Sequence, residues 1–457
     1  ATMQALLLGV TAGSAVSLES VARPGHHLST ARAPTSVGGD HANTLVLRTN
    51  CESWERWQWQ PVGDTRVRLA AAAGGPALPF ASPKVLGQEG VPWLLRAAAP
   101  PGGWEELEVE LADDEAALPV RTVRLCAVKD GHRAYLRAQS DGHVTVALDG
   151  HAVECLWRVR LEALPLLDLA ALGGLAGLAH ATPAMAMKAR RPLLAAVLRA
   201  MQDVGAFYVT GHHIGDELFA TMQQATGQLP RREDGDSTDD GAFKQNRALM
   251  ELNGAQRCLR NSVPTPDAER TAFLIEAYTD EMVALTDGLL HALALAQDLA
   301  LPAAQRAHYP VWRGAWGDRH RYAGLRVLQY HPGPARNSAG KRVRTTAQHT
   351  DATWLTVLKT DATGGLRVRP SGRPKAHWLA PKMPVPDALL INAGNVLRKA
   401  TTPTAAAGDA RPYYDAIQHY VERTDAAEHS TRVSMPFFLD RRSDGAMGFW
   451  AGGTRAT

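Results

Sequence analysis

The chain is poor in cysteine, in long apolar runs and in net charge, and each shortage excludes a class of protein. Its 457 residues include only four cysteines, Cys51, Cys126, Cys155 and Cys258, too few and too scattered for a disulfide scaffold or a cysteine metal site. No segment reaches the ~20 apolar residues that a membrane-spanning helix needs, and the apolar run 6–10 lacks a basic leader. We therefore expect a soluble, cytoplasmic protein without a membrane partner.

The formal net charge is only +3, which gives no clear signal of nucleic-acid binding. Basic residues nevertheless crowd one stretch: Arg313, Arg319, Arg321, Arg326, Arg336, Lys341, Arg342 and Arg344. This stretch is interpreted either as a solvated loop or as a rim that attracts an anionic small-molecule substrate or carrier.

What is present is a set of metal-ligating side chains. In an extended strand, residues two apart point to the same face, so His349 and Asp351 can present an imidazole and a carboxylate side by side. His419, in another strand-like stretch, could complete a facial triad around one divalent iron, leaving positions open for dioxygen and an organic co-substrate. A His-x-Asp pair alone is weak evidence, because such pairs also occur by chance.

A second pair of residues indicates a carboxylate site. Arg432 can offer a permanently charged, bidentate fork, and Ser434, two residues later on the same strand face, adds a hydroxyl donor. The pair follows His419 and leads directly into an apolar strand.

The order of these motifs resembles that of the isopenicillin N synthase-like family of iron(II), 2-oxoglutarate-dependent dioxygenases, over roughly residues 164–440. The motifs that carry the resemblance are the segments 349–358, 364–368, 389–394 and 432–438, together with Trp378. It implies that His349, Asp351 and His419 bind iron, that Arg432 and Ser434 receive the distal carboxylate of 2-oxoglutarate, and that a double-stranded β-helix, or jelly roll, carries the site.

The resemblance leaves some positions open. The family strand that approaches the oxoglutarate ends in a tyrosine and a proline, but here His331 stands between Tyr330 and Pro332, so either Tyr330 or His331 makes that contact. His429 is a rival to His419, although it lies close to Arg432 in sequence. The family's Asn-x-Gly-Asp becomes the segment 392–395, Asn-Ala-Gly-Asn, a departure that we expect to affect a turn and not the metal. Trp354, Phe437 and Phe438 are read either as barrel core or as lining of the substrate pocket.

The first third of the chain contains a threefold repeat of strand-like units. Trp57, Leu107 and Trp157 stand at equivalent positions, and strand patterns with turn residues recur around them. Units that cannot bury a core alone can close around a pseudo-threefold axis. The pattern resembles the fascin-like and ricin-like β-trefoils, in which these residues fill the shared core, and it does not identify a ligand for the trefoil.

The predicted fold is therefore mainly β with helices, and the chain is long enough for at least two domains. A β-trefoil is expected over residues 1–162 and a dioxygenase domain with a helical N-terminal part over residues 163–457. Within the second domain, the segment Thr265–Asp267 is typical of the start of a long helix.

The predicted function is oxidation of an unactivated C–H bond of a small organic substrate. The resemblance implies Fe(II), 2-oxoglutarate and dioxygen as cofactors, and succinate and CO2 as co-products of hydroxylation, desaturation or cyclisation. One alternative is an oxoglutarate-independent oxidase of the isopenicillin N synthase kind. The other is a trefoil-led binding protein with a degenerate oxygenase domain.

Overall fold

The structure is a computed structural model, and it divides the chain into two compact units. The first unit comprises residues 1–167 and 183–204, and the second comprises residues 168–182 and 205–457. The division predicted from sequence, 1–162 and 163–457, stays a prediction. The residues that the structure describes are 15–24, 26–30, 45–48, 57–62, 66–71, 78–80, 94–96, 106–112, 122–129, 132–141, 143–215, 219–220, 232–237, 244–247, 268–306, 308–309, 312, 321–325, 328–330, 332–370, 377–403 and 412–441.

The first unit is built from short antiparallel strands. In its described part these are β1 (Ala15–Ser20), β2 (His27–Thr30), β3 (Leu45–Arg48), β4 (Trp57–Val62), β5 (Arg66–Ala71), β6 (Leu78–Phe80), β7 (Leu94–Arg96), β8 (Leu107–Leu111), β9 (Thr122–Lys129), β10 (His132–Ala138), β11 (Val144–Ala147) and β12 (Trp157–Leu161). A further strand, β13 (Leu166–Asp168), lies at the boundary between the units.

Six of these strands close into a ring. The pairs run from β1 to β4, β5, β8, β9 and β12, and β12 pairs again with β1. The remaining strands form three hairpins, β2–β3, β6–β7 and β10–β11. Trp57, Leu107 and Trp157 each begin a ring strand and are fully buried. Closing the ring leaves no unpaired strand edge along it and encloses the side chains of its inner face.

Helix α1 (Pro183–Asp203) belongs to the first unit. Its backbone departs from helical geometry at Arg190, two residues before Pro192, because proline disfavours helical geometry in the residues that precede it. Fully buried Arg199 donates a hydrogen bond to the carbonyl of Val159, and Asp203 accepts one from the Leu161 amide at 3.2 Å. Both contacts anchor the helix on β12.

The second unit contains the remaining strands and helices. Those described are β14 (Ala206–Thr210), β15 (Arg232–Ser237), β16 (Lys244–Arg247), α2 (Ala268–Ala300), α3 (Ala303–Arg306), β17 (Arg321–Leu325), β18 (Leu328–Tyr330), β19 (Arg344–His349), β20 (Leu355–Thr360), β21 (Leu366–Arg369), β22 (Leu389–Ala393), α4 (Asn395–Ala400), β23 (Gln418–Glu422) and β24 (Arg432–Arg441). Helix α2 begins immediately after Thr265–Asp267, as the sequence predicted.

Two sheets of the second unit carry the candidate site. In the large sheet β14, β22, β20, β24 and β17 are neighbours in that order, with β18 also beside β24; in the small sheet β23 lies between β19 and β21. Strands β22 and β20 of the large sheet are almost continuously buried. One face of the sheet meets helix α2, and the other meets residues of the small sheet across a cavity. This arrangement agrees with the expected β-rich jelly roll.

The remaining sequence expectations concern membrane-spanning helices and the cysteines. None of the helices in the described part of the chain has both the length and the apolar character that a bilayer crossing requires. Cys126 and Cys155 are buried and are not in a disulfide, whereas Cys51 and Cys258 lie outside the described residues.

Candidate metal centre

His349, Asp351 and His419 come together in the second unit. His349 ends β19 and stands opposite His419 of β23 in the antiparallel register, and their rings lie 4.3 Å apart, centroid to centroid. Asp351 follows two residues after His349, just beyond the strand. Its Oδ1 atom lies 3.6 Å from the Nε2 atoms of both histidines. One ligand atom from each of the three residues therefore lies within 4.8 Å of the other two.

The backbone determines which ring nitrogen each histidine offers. Nδ1 of His349 lies 2.8 Å from the carbonyl of Ala347, and Nδ1 of His419 lies 3.3 Å from the carbonyl of Ile417. A carbonyl oxygen only accepts hydrogen bonds, so each Nδ1 carries the proton and each Nε2 keeps its lone pair. Both lone pairs are therefore available beside Asp351, as metal-ligating histidines require.

Electrostatics favour the metal-binding protonation states of Asp351 and His419. Burial by itself raises the pKa of the Asp351 carboxyl, but the neighbouring His419 and His349 and the hydrogen bonds from Asn392 and Thr356 lower it well below its usual value. Burial lowers the pKa of His419, against the opposing effect of Asp351. A carboxylate that faces two imidazoles is a donor set that fits divalent iron.

The centre has one exposed side and one closed side. The side chain of His349 is 42% exposed, whereas those of His419 and Asp351 are only 13% and 7% exposed. A small molecule can therefore approach the three ligand atoms from the side of His349. The rival His429 does not belong to the three-residue group found among the described residues; it directly follows a short 3₁₀ turn, Ala426–Glu428.

Arg432 is buried at the start of β24 and faces a cavity of about 480 Å³ in the same unit. Its Nε donates to the carbonyl of Gly364 at 2.7 Å, and its guanidinium carbon lies 5.1 Å from the centre of the Tyr330 ring. Within the described part of the chain its buried Nη1 has no hydrogen-bond partner. A buried cation with one unsatisfied donor that lines a cavity fits a carboxylate ligand, because such a donor is costly unless an acceptor meets it.

Strand register shows how the cavity relates to the metal ligands. The hydroxyl of Thr356 contacts Asp351, and Leu358 and Thr360 follow on the same face of β20 because side chains alternate. Ser434 pairs with Thr360, so both point to this face. Leu358, Thr360 and Arg432 all line the cavity. Arg432, Ser434 and Thr356, which bonds to Asp351, thus share one face of the large sheet, whereas His349 and His419 lie in the small sheet.

Of the two residues expected to approach 2-oxoglutarate, Tyr330 and His331, the structure describes Tyr330. It is buried, it pairs with Arg432 across β18 and β24, and its hydroxyl lies 3.2 Å from that of Thr346. His331 lies outside the described residues.

The structure separates the aromatic residues that the sequence assigned either to the barrel core or to the substrate pocket. Trp354 is buried and stacks on Trp312 at 5.8 Å, which favours core. Phe438 pairs with Thr356 across β20 and β24, so it shares the inner face, while Phe437 points to the opposite face.

Sequence reasoning missed the residues that support Asp351. Thr356 and Asn392 donate to its Oδ2 at 2.7 and 2.9 Å. Asn392 therefore supports the metal centre. The departure from the family pattern lies at Asn395, whose side chain donates to the Thr350 hydroxyl, and the expectation that this departure affects a turn and not the metal stays a prediction. The sequence carries no signal for these contacts beyond the position of polar residues within otherwise apolar strands.

The structure describes part of the basic stretch, and three of its arginines contact neighbouring residues of the protein. Arg342 forms two hydrogen bonds to Asp425, at 2.7 and 2.9 Å, and Arg336 donates to the Gly340 carbonyl at 2.8 Å. Arg344 lies over the ring of Tyr420, 4.6 Å from its centre. These contacts favour the reading of a solvated loop for the described residues.

Residues 319–441 match the family described as the 2OG-Fe(II) oxygenase superfamily. A 2-oxoglutarate-Fe(II) type oxidoreductase of Aspergillus fumigatus is 28% identical over 238 residues, which are 50% of this chain and 60% of the relative. Gibberellin 2-beta-dioxygenase 6 of Oryza sativa subsp. japonica is 26% identical over 285 residues, which are 57% of this chain and 70% of the relative. The chain thus spans about three fifths to seven tenths of the length of these curated relatives.

Solved structures are similar at lower identity. A full-length protein of Neurospora crassa in complex with alpha-KG and thymine is 17% identical, with 61% of this chain and 86% of that chain covered and a TM-score of 0.43. The dioxygenase for auxin oxidation of rice is 20% identical, with 60% and 82% covered and a TM-score of 0.39.

The family model matches residues 319–441, and the curated relatives are similar to this chain over half of its length or slightly more. Both matches agree with the predicted class of enzyme, a 2-oxoglutarate-dependent iron(II) dioxygenase, and with the predicted cofactors Fe(II), 2-oxoglutarate and dioxygen.

Proposed function

We propose that the protein oxidises an unactivated C–H bond of a small organic substrate, with 2-oxoglutarate converted to succinate and CO2. Hydroxylation is the default outcome, and desaturation or cyclisation are further outcomes of the same chemistry. The observation that carries the proposal is the convergence of Nε2 of His349, Oδ1 of Asp351 and Nε2 of His419, with Asp351 bonded to Thr356 on the sheet face that also carries Arg432.

In this proposal His349, Asp351 and His419 bind iron(II). The two imidazoles are held as Nδ1-protonated ligands by backbone carbonyls, and Asp351 stays ionised beside them because its pKa is lowered. When bound together, iron(II) and 2-oxoglutarate would supply the electrons that activate dioxygen, which is the oxidant, and the protein would supply their positions.

Arg432 and Ser434 bind the distal carboxylate of 2-oxoglutarate in this proposal, and Tyr330 belongs to the same cofactor-binding site. Nη1 of Arg432 offers an unsatisfied donor to the cavity, and its Nε is fixed by the Gly364 carbonyl. The Tyr330 ring makes a cation–π contact with this guanidinium. Since each of these contacts holds the fork in one orientation, little side-chain entropy is lost when an anion binds.

The test is an anaerobic titration of the metal-free protein with iron(II) and then with 2-oxoglutarate. The readout is the weak visible charge-transfer band of an iron(II)–oxoglutarate chelate. The variant Arg432→Lys keeps the charge but loses the planar fork, and we expect the band to need at least ten times more 2-oxoglutarate, for a loss of about 1.4 kcal/mol or more. Arg398→Lys is the matched control, because Arg398 pairs with Asp415 at a half-exposed site.

The alternatives predict different results. Iron binding without a band, with oxygen consumption that is independent of oxoglutarate, would favour an oxidase in which Arg432 and Ser434 hold the carboxylate of the substrate itself. No iron binding by the wild-type protein would favour a binding protein with a degenerate oxygenase domain.

We also propose that the domain belongs to the isopenicillin N synthase-like branch and acts in the cytoplasm. The motif order from His349 to Ser434 supports the branch. We propose a small, anionic substrate from the sequence positions of Arg313, Arg319 and Arg326, since Arg336, Arg342 and Arg344 are engaged in local contacts. Gibberellin, the molecule in the name of one relative, is a first compound to test.

We propose in addition that residues 1–162 form a β-trefoil and residues 163–457 form the oxygenase domain. The support for the trefoil is the closed ring of six strands with three hairpins and the buried positions of Trp57, Leu107 and Trp157, which recur at a spacing of fifty residues. The indole nitrogens of Trp57 and Trp157 donate to carbonyls in β2 and β10, the first hairpin strand of their own repeats. Expressing residues 1–204, a fragment that includes α1, tests the proposal. We expect this fragment to unfold in one cooperative transition.

A further inference from the structure

We propose that Asn392 and Thr356 are positioning residues that make Asp351 a one-oxygen ligand, and that the turn formed by residues 392–395 sets this geometry. The inference rests on the proposed function, because it concerns the same metal centre. It assigns a role to a turn that the sequence motif alone left without one.

The two carboxylate oxygens of Asp351 have different surroundings. Oδ2 accepts hydrogen bonds from the Thr356 hydroxyl at 2.7 Å and from the Asn392 amide at 2.9 Å. Oδ1 instead lies 3.6 Å from Nε2 of both His349 and His419. Two donors occupy the lone pairs of Oδ2, so only Oδ1 is directed at the space between the histidines.

Burial makes these two contacts selective. Asp351, Thr356 and Asn392 are only 8%, 3% and 5% exposed, so water does not readily replace a missing donor. A buried carboxylate oxygen that loses its donor turns toward another partner or raises the energy of the folded state. At this centre the available partner is the metal itself, which would then receive both oxygens of the carboxylate.

The same turn also holds the backbone that carries Asp351. The amide N–H of Asn395 donates to the Asp351 carbonyl at 2.7 Å, and its side-chain amide donates to the Thr350 hydroxyl at 2.8 Å. A β-carbon on Gly394 would lie 2.2 Å from the Thr353 carbonyl oxygen, so the two segments pack at backbone contact distance. The side chain and the main chain of Asp351 are thus both held by residues 392–395.

Asn395 shows why an amide suits this position. Its Nδ2 is a donor to Thr350, the residue between the candidate ligands His349 and Asp351. A carboxylate there could only accept a hydrogen bond and would add a negative charge near Asp351. The asparagine keeps the turn closed without adding that charge.

The experiment measures metal binding in the full chain, not turnover. Thr356→Val removes one donor to Oδ2 at almost constant volume, Thr356→Ser restores it, and Asn392→Ala removes the other donor. The matched control is Thr286→Val, which deletes a buried hydroxyl that bonds to the Met282 carbonyl within α2. Each protein is titrated with cobalt(II) and, without oxygen, with iron(II).

We expect Thr356→Val and Asn392→Ala each to bind both metals roughly ten times more weakly, the usual cost of losing a partner of a metal ligand. Their cobalt(II) absorption band should also change in intensity, because a second carboxylate oxygen changes the coordination number. Thr356→Ser should recover the wild-type affinity and band, and Thr286→Val should show both unchanged. A purely structural role would lower thermal stability without altering the band.

The outcomes separate the two proposals. If the wild type binds metal and the Thr356→Val and Asn392→Ala variants match it in affinity and band, the positioning role is wrong and the proposed function stands. If the wild type binds no metal, the proposed function fails and this inference fails with it. If Asn392→Ala does not fold, the comparison of Thr356→Val with Thr356→Ser decides alone.

Discussion

The guanidinium of Arg432 lies over the aromatic ring of Tyr330, with its central carbon 5.1 Å from the ring centre. The two residues face each other in the register of β18 and β24. Because Nε of Arg432 is already bonded to Gly364, the ring and the carbonyl together fix the plane of the fork. The orientation of the unsatisfied Nη1 therefore depends on a residue that need not touch the ligand.

The variant Tyr330→Leu should weaken 2-oxoglutarate binding because it removes the ring beneath Arg432. A cation–π contact is worth about 0.5 to 2 kcal/mol, or a roughly 2- to 30-fold change in Kd. Tyr330→Phe keeps the ring and loses only the hydroxyl contact to Thr346, so it should remain close to wild type. The charge-transfer titration measures both; equal weakening in the two variants would assign the effect to the hydroxyl instead.

Gly394→Ala should destabilise the second unit and weaken metal binding. Its β-carbon would lie 2.2 Å from the carbonyl oxygen of Thr353, and overpacking of this kind costs about 1–3 kcal/mol. The control is Gly215→Ala, since no described atom lies within 4 Å of the β-carbon it would add. Chemical denaturation and cobalt(II) titration of both variants provide the measurement. Wild-type metal affinity in Gly394→Ala would show that the turn can move without disturbing Asp351.

Trp57→Phe and Trp157→Phe should destabilise the first unit by similar amounts. Each indole donates to a buried backbone carbonyl, that of Leu28 at 3.1 Å and that of Leu136 at 3.0 Å. Loss of the donor leaves the carbonyl unsatisfied, which costs about 1–3 kcal/mol. Urea denaturation of residues 1–204 gives the free energies of unfolding. A large effect in one variant and none in the other would contradict the equivalence of the repeats.

The thiol of Cys126 should resist alkylation in the folded protein. Burial raises its pKa to about 12, so at pH 8 roughly one molecule in ten thousand carries the reactive thiolate. Raising the pH toward 12 should accelerate labelling if the fold persists, because the thiolate fraction grows tenfold per pH unit. Iodoacetamide labelling followed by peptide mass spectrometry tests this, with the urea-unfolded chain as reference. Equal labelling rates in the folded and unfolded protein would show that the thiol is accessible.

Local patterns predicted much of the fold. The long helix after Thr265–Asp267 and the burial of Trp57 and Trp157 follow the sequence. These features depend on side-chain periodicity and on turn residues within a few positions of one another. The start of helix α1 at Pro183 was not predicted, since a helix of moderate apolar character gains its stability from packing that the sequence does not display.

The chemical identities of the candidate site were determined by the sequence itself. His349 and Asp351 are near neighbours in the chain, and a fork such as Arg432 followed by Ser434 keeps its chemistry in any setting. A spacing of two residues brings the imidazole and the carboxylate to the same side wherever the chain is extended, and only a local conformation of that kind is needed.

Only the tertiary structure decided how these groups meet. His419 faces His349 because β23 pairs with β19 in one register, and a shift of a single residue would turn the imidazole to the other face. Asn392 reaches Asp351 across forty-one residues of chain, and Arg432 reaches Gly364 across sixty-eight. Contacts over such separations follow from the pairing of whole strands, in which every residue of both partners takes part, so no short stretch of sequence specifies them.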